Sequence, residues 1–138
     1  MTVKTISVLV AAGIGLGGAV VIARQAPNRV TATITLAAAN GSCGKTLVGN
    51  DSGDRIRQRR GGAIQWIVTN NCGANANVAL GGWNPAAPGG GGNTSCAARP
   101  GGRCTITDTI RANAAPGTYS YTVSINGAVT DPEIIVEQ

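Results

Sequence analysis

The chain is 138 residues long, room for one domain and little else. Eleven Lys plus Arg stand against six Asp plus Glu, and with Lys4 and Arg24 set aside as flanks of an apolar run the rest of the chain carries nine against six, which is not the balance of a nucleic-acid binder. There is no His, and Met1 is the only Met, so two common ligand types for copper, iron and catalytic zinc are missing and no His-dependent triad or metal site can form. Phe is also absent. Trp66, Trp83, Tyr119 and Tyr121 are the aromatic residues, so a core must be built mainly from Val, Ile, Leu and Ala, which favours a thin sandwich.

Residues Ile6 to Ala23, ISVLVAAGIGLGGAVVIA, are uncharged and lie between Lys4 and Arg24. Both a secretory signal peptide and an uncleaved signal anchor fit this hydrophobic segment, which is read as a helix. No clean small-x-small cleavage site follows, since Ala26 precedes Pro27, and the run lacks the acidic residue of a type IV pilin leader. Residues 1–28 are therefore expected to be a signal peptide or membrane anchor, and residues 29–138 an exported domain that is periplasmic, secreted or membrane-anchored. Cys43, Cys72, Cys96 and Cys104 all lie beyond this segment. An even number of cysteines in an exported chain of this size reads as two disulfides, with three pairings open. The absence of CxxC leaves a thioredoxin-like site or zinc ribbon unsupported.

Val30 to Leu36 alternates apolar residues with Thr31, Thr33 and Thr35, the pattern of a half-buried strand. Ala37 to Asp54 mixes small and polar residues and predicts a loop, with at most a short strand at Lys45 to Val48. Arg55 to Arg60, RIRQRR, leads through Gly61 and Gly62 into AIQWIVTN, which predicts a hairpin with Ile64, Trp66 and Val68 on one face. Val78 to Leu80 predicts one more short strand. Gly81 to Arg103 holds eight glycines and three prolines and predicts a long loop of the kind that is functional or mobile. Thr105 to Ile110 restores alternation, with Asp108 on the apolar face, which implies a bulge or a hydrogen-bonded inward Asp. In GTYSYTVSINGAVTDPEIIV, from Gly117, the residues Tyr119, Tyr121, Val123 and Ile125 share one face. Asn126-Gly127 supplies a tight hairpin turn, Asp131-Pro132 a further turn, and Glu133 to Val136 a last strand. Strands of this length with turn residues between them, and no helical period beyond Arg24, describe an all-β Greek-key β-sandwich.

The order GGAIQWIVTNNC, a Gly- and Pro-rich loop, then PGTYSYTVSINGAVTDPEIIVE resembles cupredoxin-like domains, the fold of plastocyanin. It is similar above all to exported bacterial cupredoxin-like proteins sharing the GxYxYxV motif and the DPEI ending, over about residues 55 to 137 and weakly Val30 to Leu36. The resemblance implies copper ligands at defined places: a His just after the strand that ends at Asn70 and Asn71, then Cys, His and usually Met around the last hairpin. No His stands at any of them, and Val123 sits near the place of the ligand Cys. The expectation is a domain without copper or other cofactor and without enzyme activity. The resemblance also sets the first and third strands parallel and side by side, which implies the pairs Cys43 with Cys72 and Cys96 with Cys104.

Arg55, Arg57 and Arg59 are expected on one strand face, with Arg60, Arg99 and Arg103 in nearby loops. One reading is an anion-binding patch (Arg55, Arg57, Arg59, Arg60) for an acidic polysaccharide, lipopolysaccharide or acidic protein. The favoured one is a charged edge strand that blocks edge-to-edge pairing, since no interleaved aromatics suggest a nucleic-acid surface. The carboxylates Asp51, Asp54, Asp131, Glu133 and Glu137 lack an aromatic sugar platform and carry no expected catalysis. Trp66 is expected in the core and Trp83 as the anchor of the long loop. Asn40-Gly41-Ser42 and Asn93-Thr94-Ser95 match the glycosylation sequon and are short enough to occur by chance. The function expected is a structural or interaction domain with a protein or anionic glycan partner, no nucleic acid, and a membrane only through residues 6–23.

Overall fold

In the computed structural model, residues 29–90 and 92–138 are described; the segment 1–28, with its signal or anchor reading, lies outside them. Two sheets face each other. The first has the order β2 (Ser42–Val48), β1 (Arg29–Ala39), β4 (Ala63–Asn71), β7 (Arg103–Thr109). The second has the order β3 (Ile56–Arg59), β10 (Glu133–Glu137), β8 (Gly117–Ile125), β5 (Ala76–Asn84), β6 (Ser95–Ala98), with β9 (Ala128–Thr130) also on β8. β1 and β4 run parallel and adjacent, with Val30 opposite Ile64 and Ile34 opposite Val68. The fold is the all-β Greek-key sandwich expected from the alternation pattern.

The alternating residues fill the space between the sheets. Val30, Ala32, Ile34 and Leu36 from β1, Ile64, Trp66 and Val68 from β4, and Tyr119, Tyr121, Val123 and Ile125 from β8 are all buried. Their period of two forces this outcome, because every second side chain of a strand leaves from the same face.

Four sequence expectations need correction. The predicted loop over Ala37 to Asp54 is largely strand, since Asn40 and Gly41 take positive φ (51° and 77°) and turn β1 directly into β2. β2 is an edge strand with most of its side chains exposed, so it carries no apolar alternation to betray it. The predicted hairpin across Gly61-Gly62 does not form: β3 pairs in parallel with β10 in the second sheet, while β4 belongs to the first. The connection is drawn across by paired bonds, Gly61 N–H to the Ile110 carbonyl and Ile110 N–H to the Gly62 carbonyl, both 2.9 Å. Gln58, 2% exposed, secures the crossing by donating to the Ala63 carbonyl at 2.7 Å and accepting from the Arg59 N–H at 2.8 Å. A Cβ on Gly62 would collide with the Gln58 amide, so the Gly there permits close approach.

The third correction concerns the long loop, whose beginning belongs to β5 and which contains β6. Ala76, Val78 and Leu80 point inward, and the register with β8 then shifts by one residue between Gly81 and Asn84. That bulge, with Gly82 at φ 57°, reverses the phase of the strand and turns Trp83 toward the core. Asp108 is half-buried as expected, accepting from the N–H groups of Gly92 (3.3 Å) and Thr109 (2.8 Å). The fourth correction concerns Asp131-Pro132, which makes no turn. β9 and β10 keep one register along β8, from Thr130 opposite Val123 to Glu133 opposite Ser120. Pro132 interrupts the ladder only because it has no N–H, and its carbonyl still accepts from Tyr121 at 3.1 Å.

Two disulfides tie the sheets at their margins. Cys43–Cys72 joins β2 to the end of β4 over β1, and Cys96–Cys104 joins edge strands β6 and β7 across the two sheets, each with Cα atoms 5.9 Å apart. These are the pairs that the family resemblance implied.

Gly82→Ala should destabilise the domain by about 1–2 kcal/mol, since positive φ is unfavourable for Ala and its Cβ would meet Thr122. Gly81→Ala, with ordinary φ and only a van der Waals contact to Thr122, should change stability by less than about 0.5 kcal/mol. Urea unfolding of both variants checks the pair, and equal effects would remove the bulge from the account.

Candidate functional site

The end of the sandwich where β4 stops is organised by Asn70, whose side chain is fully buried. Its amide nitrogen donates to the carbonyls of Ala74 (2.8 Å) and Ala98 (3.0 Å), and its Oδ1 accepts from Cys72 N–H (3.0 Å). Its backbone N–H donates to Gly102 O (2.9 Å), and its carbonyl accepts from Gly101 N–H (2.7 Å). A buried amide can remain stable only when its groups are paired in this way. Beside it lies a groove of about 250 Å³ lined by Leu36, the Cys43–Cys72 bridge, Ile125 and Ala128. In the sequence this place reads only as the end of a strand, although the alternation of Ile64, Trp66 and Val68, carried on by two, puts Asn70 rather than Asn71 on the buried face.

At the middle of the core Trp66 Nε1 donates to the Tyr121 hydroxyl at 3.0 Å, with the rings edge to face at 6.0 Å. Trp83 stacks on the other side of Tyr121, with centroids 4.9 Å apart and planes at 16°. Trp66 is thus core and Trp83 an anchor for the loop that follows. Burial holds the Tyr121 hydroxyl well above its ordinary range, against the lowering effect of its bond from Trp66 and with a smaller push from the Asp54 charge.

The arginines separate into two groups. Arg55, just before β3, bonds Glu133 through Nε (3.2 Å) and Nη2 (3.1 Å). Arg57 holds Glu137 at 2.7 Å and Asp51 at 3.2 Å, and these partners, Glu137 first, raise its pKa further above that of a free guanidinium. Glu133 and Glu137 thus face arginines rather than forming a carboxylate pair. The outer edge of β3 is covered as well: the Asn50 amide donates to the Arg57 carbonyl (2.9 Å) and accepts from its N–H (2.8 Å). Asn93 does the same for β7, donating to Thr105 O at 3.1 Å and accepting from Thr107 N–H at 2.9 Å. Arg59 and Arg60 are exposed at the end of β3 and enter none of the ion pairs found among the described residues. Arg99 and Arg103 lie at the opposite end, around the turn that bonds Asn70.

Similarity to known proteins appears at the level of structure. A laccase from Pediococcus acidilactici superposes with a TM-score of 0.51 at 16% identity, over 82% of this chain and 28% of the laccase. The McoA multicopper oxidase of the hyperthermophile Aquifex aeolicus gives 0.52 at 10% identity, over 78% of this chain and 29% of the oxidase. A multicopper oxidase of Campylobacter jejuni, described as a metallo-oxidase, gives 0.51 at 13% identity, over 84% and 27%.

The fold is cupredoxin-like.

The chain spans less than a third of each of these oxidases, and at such identities the likeness concerns the fold alone. No protein-family model and no curated protein matches the sequence.

A copper centre of the blue type needs His and thiolate ligands, and the residues of this chain do not fit it. The sequence has no His, all four cysteines are in disulfides, Val123 is buried between the sheets, and the amide of Asn70 is committed to backbone partners. Among the described residues no three of His, Cys, Asp and Glu gather as a metal cluster would require.

Asn70→Ala should cost roughly 3 kcal/mol or more by leaving several buried backbone groups without partners, while exposed Asn71→Ala should cost less than about 0.5 kcal/mol; thermal unfolding of the two variants compares them. The raised pKa of Tyr121 sets the sign of an alkaline effect. Stability is unaffected below the ordinary tyrosine pKa of 10.0 and falls as pH rises beyond it, because only the unfolded chain then ionises this hydroxyl. Urea midpoints measured across that range in wild type and Tyr121→Phe should converge as pH rises.

Proposed function

We propose that this chain is an exported cupredoxin-like domain that works without copper and without catalysis, as a structural or interaction module in the cell envelope. The observation that carries the reading is the donor set: the sequence has no His and its four cysteines are held in disulfides, so the ligands that a blue-copper centre needs are missing. At the end of β4, an asparagine and a disulfide stand as fixed structural parts, with every polar atom of the Asn70 side chain engaged. Two disulfides in a domain of this size favour an oxidising compartment, and the run 6–23 supplies an export signal or anchor.

The distribution of charge favours the edge-guard role for β3 over a glycan grip through its whole face. Arg55 and Arg57 already hold carboxylates, and the amide of Asn50 occupies the edge where another strand would dock. Bonds of this kind close that edge to a second copy of the chain.

The full chain dialysed against Cu(II) should retain no stoichiometric metal, show no thiolate-to-copper absorption band, and oxidise phenols no faster than the buffer with its copper. A coloured one-to-one complex, or oxidation lost on chelation and restored by copper, overturns the proposal.

A further inference from the structure

The arginines outside the ion pairs are not scattered. β1 begins at Arg29, which is paired with Ala63 at the start of β4, and Ala63 is paired in turn with Thr109 at the end of β7. Arg111 follows two residues later, and its guanidinium donates to the Ala87 carbonyl. On the second sheet β3 ends at Arg59, paired with Glu137, and the Arg60 N–H donates to the Glu137 carbonyl at 3.2 Å. The bonds between Gly61 or Gly62 and Ile110 join these strand ends. Arg29, Arg59, Arg60 and Arg111 are all exposed and therefore rim one end of the sandwich. The acidic side chains at that end are occupied: Glu137 holds Arg57, and Asp108 accepts from backbone N–H groups.

This basic end is also the end at which the chain arrives from residues 1–28. Arg24, which closes the apolar run 6–23, is five residues before Arg29, a reach of roughly 18 Å even when fully extended. We infer that the rim of Arg29, Arg59, Arg60 and Arg111 docks on the anionic phosphate headgroups of the membrane to which residues 6–23 tether the chain. The inference rests on the anchor reading of that run. A tether this short brings the rim to within one or two Debye lengths of the bilayer, where arginines gain from anionic lipid and guanidiniums pair well with phosphate. The opposite end, with Asn70, the Cys43–Cys72 bridge and Arg99, then faces away from the membrane.

The test uses the full chain with vesicles of phosphatidylcholine alone and of phosphatidylcholine mixed with phosphatidylglycerol. Flotation reports attachment, and hydrogen exchange reports which end is covered. Attachment to both vesicle types, with amides of residues 59–62 and 110–112 slowed only on the anionic ones, is the expected result. Arg59→Ser/Arg60→Ser should abolish that slowing without releasing the protein, and Arg99→Ser/Arg103→Ser should leave it intact.

Flotation with anionic vesicles only, weakened roughly tenfold in the Arg59→Ser/Arg60→Ser variant, removes the anchor but keeps the rim as a headgroup site. Attachment to both vesicle types without any difference at the rim, or with equal protection at residues 99–104, overturns the rim. Flotation with neither, including the case of retention by the polyanion heparin alone, overturns rim and anchor together.

Discussion

The contact between Trp66 and Tyr121 is the one on which the sandwich depends. Trp66 stands on β4 of one sheet and Tyr121 on β8 of the other, both fully buried and joined by a hydrogen bond. In a chain without Phe these rings supply much of the bulk between the sheets, and the bond fixes how they face. An aromatic pair adds directional energy to its buried area, whereas Val, Ile and Ala can slide. The bulge at Gly82 then brings Trp83 onto the same tyrosine, so the glycine-rich segment starts from the core rather than from solvent.

Around that centre the chain replaces mass with covalent and polar fastening. The disulfides close margins where few large side chains are available, and each restricts the unfolded chain by about 2–4 kcal/mol in the loop-entropy account. Asparagines perform a related task. Asn70 ties the turns at one end, and Asn50 and Asn93 satisfy outer edges of β3 and β7. An amide side chain carries both a donor and an acceptor, so it can stand in for a neighbouring strand. At β3 and β7 these bonds occupy edges that would otherwise be open to other chains.

The charge pattern follows from pairing. β10 brings Glu133 beside Arg55 and Glu137 beside Arg57, which neutralises the first half of a stretch that looks uniformly basic in sequence. What remains is sorted to the two ends of the sandwich. A run such as RIRQRR is therefore not one patch but two: an ion-paired edge and an exposed end.

Alternation alone determined β1, β4, β7 and β8 and the faces they bury, because period two is a local property of extended backbone. The missing histidines are likewise a matter of composition, and without them a blue-copper centre lacks its ligands. The sequence disclosed only the Lys45 to Val48 half of β2, which lies exposed at an edge and needs no apolar face, and not that β3 leaves its apparent hairpin to run beside β10. It placed Asn70 in phase with Val68 but not the partners of its amide, and it did not separate Arg57 from Arg59, which share a face. Each of those distinctions is a matter of which residues, far apart in the chain, become neighbours across a sheet. Burial, pairing and charge neutralisation are properties of that neighbourhood, and only the tertiary structure creates it.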